Sequence, residues 1–245
     1  MSKVVKIIFR SKIFDEDNLI NIFDIVNHLY WNGQILNNPI IEEEKTRFIV
    51  TVSLTQDESL EEEYWPRDIE KIKKKFHIDI IEGDSEFNYC EDGCSCGNSD
   101  FYIINPFMIS LISPILCGNC LESIPLYKLD GLNCEDRYEI VHFSELYESI
   151  NSLKEYDPEY HKNHLNNSDS KITNLGIEIS KKIERKTSIP TYYFLLTTKN
   201  VDFCPKCGGK LDNLPIDITK YSEHGNINRV CKKCNLAFKN NKIEN

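Results

Sequence analysis

Two pairs of closely spaced cysteines near the C-terminal end constrain this chain more than any other feature. Cys204-Pro-Lys-Cys207 is followed, after 23 residues, by Cys231-Lys-Lys-Cys234. A two-residue gap lets both sulfurs of a pair face one metal, and four thiolates in two such pairs can surround Zn²⁺ tetrahedrally. The double glycine after Cys207 supplies the permissive backbone that such a turn needs. The sequence therefore predicts a zinc ribbon at residues 201–245.

A second set of cysteines lies upstream. Cys94-Ser-Cys96 is followed, after 20 residues, by Cys117-Gly-Asn-Cys120. We expect these four thiolates to hold a second Zn²⁺, which gives two structural ions per chain. However, the first pair has one intervening residue rather than two, and Cys90 stands four residues before Cys94 as a competing ligand. The alternative is a degenerate site, or thiols packed as small apolar groups.

The predicted zinc sites favour a structural role over a catalytic one. Four protein ligands leave no position for water or substrate, and metal-binding free energy becomes folding free energy for a segment too small to have its own core. The sequence lacks a Gly-rich phosphate loop, a Ser nucleophile elbow and a His-Glu-x-x-His motif. Cys90 and Cys134 are the remaining nucleophile candidates, and His161-x-x-His164 is interpreted as a solvated pair. We therefore expect neither an enzyme nor a small-molecule substrate.

Cysteine usage and hydropathy favour a cytoplasmic location without membrane contact. Lysines and an arginine punctuate the first ten residues, which lack the apolar stretch of a signal peptide. No run approaches the about 20 apolar residues that a membrane helix needs. Ten cysteines can also form five disulfides, but that arrangement suits small secreted frameworks. Short cysteine pairs in a leaderless chain instead indicate zinc in a reducing compartment.

Charge is distributed unevenly along the chain, whose formal net charge is −10. Residues 204–245 carry eight Lys or Arg against four Asp or Glu, a local +4, whereas residues 1–203 carry 21 against 35, a local −14. Nucleic acid binds basic surfaces, so only the C-terminal segment would attract it. The candidate contacts are Lys206, Lys210, Arg229, Lys232, Lys233 and Lys239. Tyr221 and Phe238 are candidates for stacking on bases.

These features leave two functions open. The first is a non-enzymatic binding or adaptor protein, whose ribbon contacts nucleic acid or a protein partner. The second is an acidic immunity protein, whose body covers a basic toxin or nuclease by electrostatic complementarity. A third interpretation gives the ribbon no binding partner: its lysines are solvated and only offset the negative charge of the zinc–thiolate centre.

The first 86 residues predict an α+β domain. Strands are expected at 3–9, around Ile40, at 47–54 and at 78–81, and helices after Asp15 or Asp17 and from Pro66 to Phe76. The resulting order, β-α-β-β-α-β, is that of ferredoxin-like folds. That superfold hosts unrelated functions and decides nothing about chemistry.

Residues 87–200 are expected to hold the first cysteine module, further helices and an aromatic strand. Val141, Leu146, Ile150 and Leu153 recur at helical spacing and are predicted to be buried. The predicted elements are strands at 101–104 and 124–129, a helix at about 137–156, a polar loop at 157–170, a helix at about 171–186 and a strand at 191–197.

Several stretches between about residues 94 and 239 together resemble a bacterial family of unknown function, described as zinc-ribbon-containing with an ascribed nucleic-acid-binding role. The matching pieces are Cys96-Gly-Asn-Ser-Asp-Phe-Tyr, Ser113-Pro-Ile-Leu-Cys117-Gly-Asn-Cys120, Pro125-Leu-Tyr-Lys-Leu, Gly176, Glu184, Pro190-Thr-Tyr-Tyr193, Cys204-Pro-Lys-Cys207-Gly-Gly and Cys231-Lys-Lys-Cys234-Asn-Leu. The resemblance implies that the upstream cysteines are also ligands, and it supplies no catalytic residue. The chain departs from the family's pattern at Lys210-Leu211, where an aromatic is usual, and at Ala237-Phe238, which replaces a small polar pair.

Overall fold

The computed structural model describes residues 3–11, 15–36, 39–83, 93–106, 112–197, 201–214 and 227–239. The chain divides into two compact units. Unit 1 comprises Met1–Gly93, Ser110–Ser113 and Pro125–Tyr138, and unit 2 comprises Cys94–Ile109, Pro114–Ile124 and Glu139–Asn245. Each unit contains one sheet and helices, so the predicted mixed α+β class is confirmed.

Unit 1 is built on a four-stranded antiparallel sheet in the order β2-β3-β1-β4. Its elements are β1 (Val4–Arg10), α1 (Glu16–Trp31), β2 (Ile40–Glu44), β3 (Arg47–Ser53), α2 (Glu70–Lys73) and β4 (His77–Glu82). Asp15 caps α1, because its carboxylate accepts a hydrogen bond from the Asn18 backbone N–H at 2.9 Å. The core lies where α1 packs on alternate residues of the central strands, with Phe9, Phe48 and Leu29 fully enclosed.

The second predicted helix of unit 1 is much shorter than its apolar pattern suggested. A 3₁₀ turn, Arg67–Ile69, leads into α2, which has only four residues. These two turns are enough to bring Ile69 and Phe76 into the core. Four lysines between them carry like charges, which disfavours a longer helix.

Unit 2 is organised around a six-stranded sheet in the order β6-β5-β7-β10-β9-β8. Its elements are β5 (Tyr102–Ile104), β6 (Ile115–Cys117), α3 (Cys134–Asn151, whose first turn belongs to unit 1), α4 (Pro158–Leu165), α5 (Lys171–Thr187), β7 (Thr191–Phe194), β8 (Asp212–Asn213), β9 (Ile227–Cys231) and β10 (Leu236–Lys239). Strand β7 pairs in parallel with both β5 and β10. The predicted regions 87–200 and 201–245 therefore contribute strands to one sheet.

The polar segment predicted as a loop at 157–170 contains a helix, α4. Asp157 caps it, because the carboxylate accepts a hydrogen bond from the Tyr160 N–H at 2.9 Å, and Pro158 occupies the first turn. Leu165 and His161 are its buried residues. Two buried side chains thus suffice to hold a helix whose other positions are exposed or partly exposed. The predicted strand at 124–129 is also wrong, because the chain there forms a 3₁₀ turn, Leu126–Lys128.

Helix α3 buries a face that only partly matches the predicted one. Ile150 is buried as predicted, but Leu146 remains 41% exposed, and Leu153, in the 3₁₀ turn after α3, remains 39% exposed. The buried residues Ile140, Phe143, Tyr147 and Ile150 lie at spacings of three and four residues, so they form one stripe that shares Ile150 with the prediction.

Helix α5 confirms its prediction and packs directly on the central strand β7. Ser170 caps the helix by accepting a hydrogen bond from the Thr173 N–H at 3.1 Å. Gly176 faces the Tyr193 ring so closely that an added Cβ atom would lie 2.6 Å from ring atom Cδ2. Among the described residues, no helix combines the length and apolarity needed to cross a bilayer.

Candidate metal centres

The C-terminal cluster consists of Cys204, Cys207, Cys231 and Cys234. Their sulfur atoms all lie within 4.8 Å of one another, and the Cys207 and Cys231 sulfurs are 3.6 Å apart. Three of the four residues are buried, and Cys207 is half-buried. The described cysteines, including these four, are free thiols rather than disulfides.

Tight backbone turns carry each pair of this cluster. The Gly208 N–H donates to the Cys204 carbonyl at 2.8 Å, and the Cys204 N–H donates to the Gly209 carbonyl at 2.7 Å. Gly208 has a φ of +70°, a left-handed conformation that favours glycine. In the second pair, the Cys234 N–H donates to the Cys231 carbonyl at 3.2 Å. Each turn places its two sulfur atoms close to those of the other cysteine pair.

The dimensions and protonation of the C-terminal cluster fit a tetrahedral zinc ion. Zinc–sulfur bonds of about 2.3 Å place ligand sulfurs about 3.8 Å apart, close to the observed 3.6 Å. Backbone hydrogen bonding from Gly209 and contact with Cys234 lower the pKa of Cys207 to about 7, which favours the ligating thiolate. Burial raises the pKa of Cys234 to about 11 and also raises that of Cys231. A bound dication would offset this desolvation of the thiolates.

The upstream cluster brings together Cys94, Cys96, Cys117 and Cys120, again with all sulfur atoms within 4.8 Å of one another. The Cys94 N–H donates to the Ser123 carbonyl at 2.8 Å, which fixes the first pair beside the second. The Cys96 N–H lies 3.4 Å from the Cys94 sulfur, so the one-residue gap still lets both sulfurs converge. Cys90 lies outside the described residues, and the cluster has four sulfur ligands without it.

The electrostatic environment of the upstream cluster differs among its members. Burial raises the pKa of Cys94 to about 11 and raises that of Cys120 further. Burial has the same tendency at Cys117, but hydrogen bonding to Ser99 and to the Asn119 backbone N–H outweighs it and lowers the pKa. The Ser99 hydroxyl lies 3.4 Å from the Cys117 sulfur. This cluster therefore also fits a cation that offsets the cost of burying thiolates.

The two clusters lie near opposite edges of a single sheet. Cys117 is the last residue of the edge strand β6. Cys231 is the last residue of β9, which pairs with the other edge strand, β8. Three strands, β5, β7 and β10, separate them. Each cluster thus brings two separate cysteine pairs of the chain together near an outer strand of the sheet.

The other cysteine and histidine candidates do not join a metal-binding group within the described residues. Cys134 is half-buried, and burial together with the nearby Asp68 carboxylate raises its pKa. His161 is buried, with a ring nitrogen 3.2 Å from the Asn151 side-chain oxygen, so its interpretation as solvated is wrong. His164 is partly exposed and stacks on Tyr160.

One predicted nucleic-acid contact, Lys206, is used inside unit 2. Its ammonium group donates to the Asn174 side-chain oxygen at 2.8 Å and to the Ser168 carbonyl at 3.1 Å, and it lies 3.4 Å from the Asp169 carboxylate. These contacts tie the first cysteine pair to the start of α5. Lys206 is therefore poorly placed to bind an external anion.

The remaining cations of the C-terminal segment differ in their exposure. Lys210 and Lys233 are exposed, and Lys232 is exposed but lies 3.5 Å from the Asp212 carboxylate. Arg229 and Lys239 are half-buried. The exposed lysines are therefore the cations most available to a partner.

The aromatic residue that accompanies these lysines is not the predicted one. Phe238 is fully buried in the sheet and cannot stack on a base, and Tyr221 lies outside the described residues. Phe203 is instead 61% exposed and pairs across a β-bridge with Lys210. The sequence feature that could have indicated an exposed Phe203 is its position directly before Cys204, outside the alternating apolar pattern of the strands.

Comparison with protein families finds a match for part of the chain. Residues 96–196 are similar to a family described as a domain of unknown function (DUF2310). The matched segment begins within the upstream cluster, includes α3, α4, α5 and β7, and stops before the C-terminal cluster. No curated protein and no solved structure matches the chain. What the chain resembles is thus a domain whose function is itself unknown.

Proposed function

We propose that this chain is a non-enzymatic binding protein, in which two Zn²⁺ ions stabilise unit 2 and the C-terminal cysteine pairs form a zinc ribbon that contacts nucleic acid. The observation that carries the proposal is the pair of four-cysteine clusters on one sheet. Four thiolates complete a tetrahedral zinc site and leave no open position for substrate. Such sites give shape to a protein rather than reactivity.

The exposed lysines around the C-terminal cluster support the nucleic-acid part of the proposal. Lys210 and Lys233 offer phosphate contacts, and Lys232 adds a third cation that it shares with Asp212. Phe203 offers an exposed ring beside Lys210 on which a base can stack. The proposed surface thus includes fewer than the six cations predicted from the sequence, because Lys206 is bound within unit 2.

We also propose that unit 1 is a ferredoxin-like domain. The chain order is β-α-β-β-α-β, and β3 lies between β1 and β2 with antiparallel neighbours throughout. The split β-α-β arrangement of that fold has the same order, which supports the proposal. It assigns unit 1 no chemistry of its own.

Charge reversal at the two freest lysines tests the nucleic-acid surface. Lys210→Glu and Lys233→Glu, singly and together, should weaken the binding of a labelled 20-nucleotide strand measured by fluorescence anisotropy. The slope of the logarithm of the association constant against the logarithm of salt concentration is negative, and each lost phosphate contact should reduce its magnitude by about one. Binding should fall for all sequences alike. Circular dichroism should be unchanged, because both side chains are exposed.

The matched control is Lys71→Glu, an identical change of charge at an exposed position of α2 in unit 1. It should leave nucleic-acid binding within error of wild type. Equal weakening by Lys71→Glu would mean that only the overall charge matters. A zinc-loaded wild-type protein that binds neither single strands nor duplexes at low salt would refute the nucleic-acid role and leave the structural role of the clusters intact.

A further inference from the structure

Nine consecutive residues, 152–160, are exposed in unit 2, where the end of α3 turns into α4. This segment, the α3–α4 corner, carries three side chains with large apolar bodies. Leu153 is 39% exposed, Tyr156 86% and Tyr160 40%. Single exposed apolar residues need no explanation, but a cluster that projects from a corner is typical of an interaction surface.

The corner is held in one conformation by local hydrogen bonds. The N–H groups of Tyr156 and Asp157 both donate to the Leu153 carbonyl, at 3.0 and 2.8 Å. The Asp157 cap then fixes the first turn of α4 through the Tyr160 N–H. The backbone of the exposed segment is therefore ordered before any partner arrives, which lowers the entropy cost of binding.

One side chain of the corner, that of Tyr160, is also positioned by a neighbour. The Tyr160 ring stacks on His164, with ring centroids 3.9 Å apart and planes inclined by 19°. Directly after the corner, the buried His161 ring lies 3.2 Å from the side-chain oxygen of Asn151, which joins α4 to the end of α3. Tyrosines, which have an apolar face and a polar tip, are enriched at protein interfaces.

The charge of the corner selects the kind of partner. Glu155, Asp157 and Glu159 are exposed around the tyrosines, against one cation, Lys154. This surface repels nucleic acid and attracts a positively charged protein surface. Lysine and arginine side chains of such a partner can pair with the carboxylates and lay their stems or charged heads over the tyrosine rings.

We propose that the α3–α4 corner is a docking surface for a basic protein, with Tyr156 as the central anchor and Glu155 and Glu159 as the charged rim. This surface is separate from the proposed nucleic-acid surface and does not depend on it. It would give the chain two binding faces of opposite charge.

Photocrosslinking with the full chain tests this proposal. p-Benzoylphenylalanine in place of Tyr156 should give a discrete protein adduct in the native host, and the same group at Phe23, an exposed aromatic of α1, should not. The adduct partner, identified by mass spectrometry, should be basic and should bind the purified chain more weakly as salt rises. Tyr156→Ala should weaken that binding by about tenfold or more, as expected for a tyrosine at the centre of an interface.

The charge of the rim is tested on the same purified pair. Glu155→Lys with Glu159→Lys should slow association, whereas Glu43→Lys with Glu61→Lys, an equal change at exposed positions of unit 1, should not. The proposal is overturned by the absence of an adduct at position 156, by an adduct with nucleic acid or with a second copy of this chain, or by an acidic partner. It is also overturned if Tyr156→Ala, with its folded spectrum intact, binds the partner as well as wild type does. Loss of nucleic-acid binding bears on the other surface alone.

Discussion

Replacing Cys204 and Cys231 by serine should lower the metal content from two zinc ions per chain to one and should unfold the C-terminal part of unit 2. The double variant removes one ligand from each pair of the C-terminal cluster. Structural zinc binds with an apparent free energy of about 10–16 kcal/mol, as large as the whole stability of a typical domain. We therefore expect a fall in thermal stability far larger than that caused by a surface mutation. Native mass spectrometry gives the metal count, and circular dichroism gives the unfolding temperature.

Cys134→Ser is the matched control for the metal experiment. Cys134 is also a partly buried free thiol, but it belongs to neither four-cysteine cluster. This variant should retain two zinc ions and a transition near that of wild type. Cys94→Ser with Cys117→Ser should remove the other ion independently. A wild-type protein that is folded and metal-free, or a double variant that still holds two ions, would contradict the structural role of zinc.

Replacing Gly176 by alanine should destabilise unit 2, because forcing an extra methyl group into a packed core usually costs about 1–3 kcal/mol. The new Cβ would lie 2.6 Å from the Tyr193 ring, and that ring is fully buried and packs edge-on against Phe143 with centroids 5.8 Å apart. The ring therefore has little room to move. The helix-propensity gain of about 1 kcal/mol for alanine over glycine offsets part of this cost, so the expected net loss is up to about 2 kcal/mol. Urea unfolding of the zinc-loaded protein measures the difference.

Glu178→Ala, at an exposed position of the same helix, is the control for Gly176→Ala. It should change the free energy of unfolding by no more than about 0.5 kcal/mol. Should Gly176→Ala raise the urea midpoint instead, α5 would have to sit farther from β7 than the structure places it.

The parts of the structure that could be predicted are those fixed by local pattern. The cysteine spacings predicted two groups of four, because a metal site of this kind is encoded in short pairs. Helices α1 and α5 could be predicted because each has a cap, Asp15 or Ser170, and a sustained apolar stripe. Helix α4 could not, because only two of its side chains are buried and the others resemble those of a loop.

The parts that could not be predicted depend on contacts between residues far apart in the sequence. Lys206 resembles a free surface cation until α5 and the turn before it bring Asn174 and Ser168 to its ammonium group. Phe238 resembles a surface aromatic until β10 is placed between β7 and β9. Strand order is set by pairings that no short segment encodes, so the burial of such residues follows only from the completed sheet.

The parallel pairing of β7 with β10 has a consequence for chains that share only the matched segment. The N–H groups of Tyr193 and Leu195 donate to the carbonyls of Asn235 and Ala237, at 2.8 and 3.0 Å. A polypeptide that stopped at residue 196 would leave those groups as a bare, hydrophobic strand edge, the kind of surface on which chains aggregate. Any relative that lacks the last strands must therefore shield this edge with another element or with a second subunit.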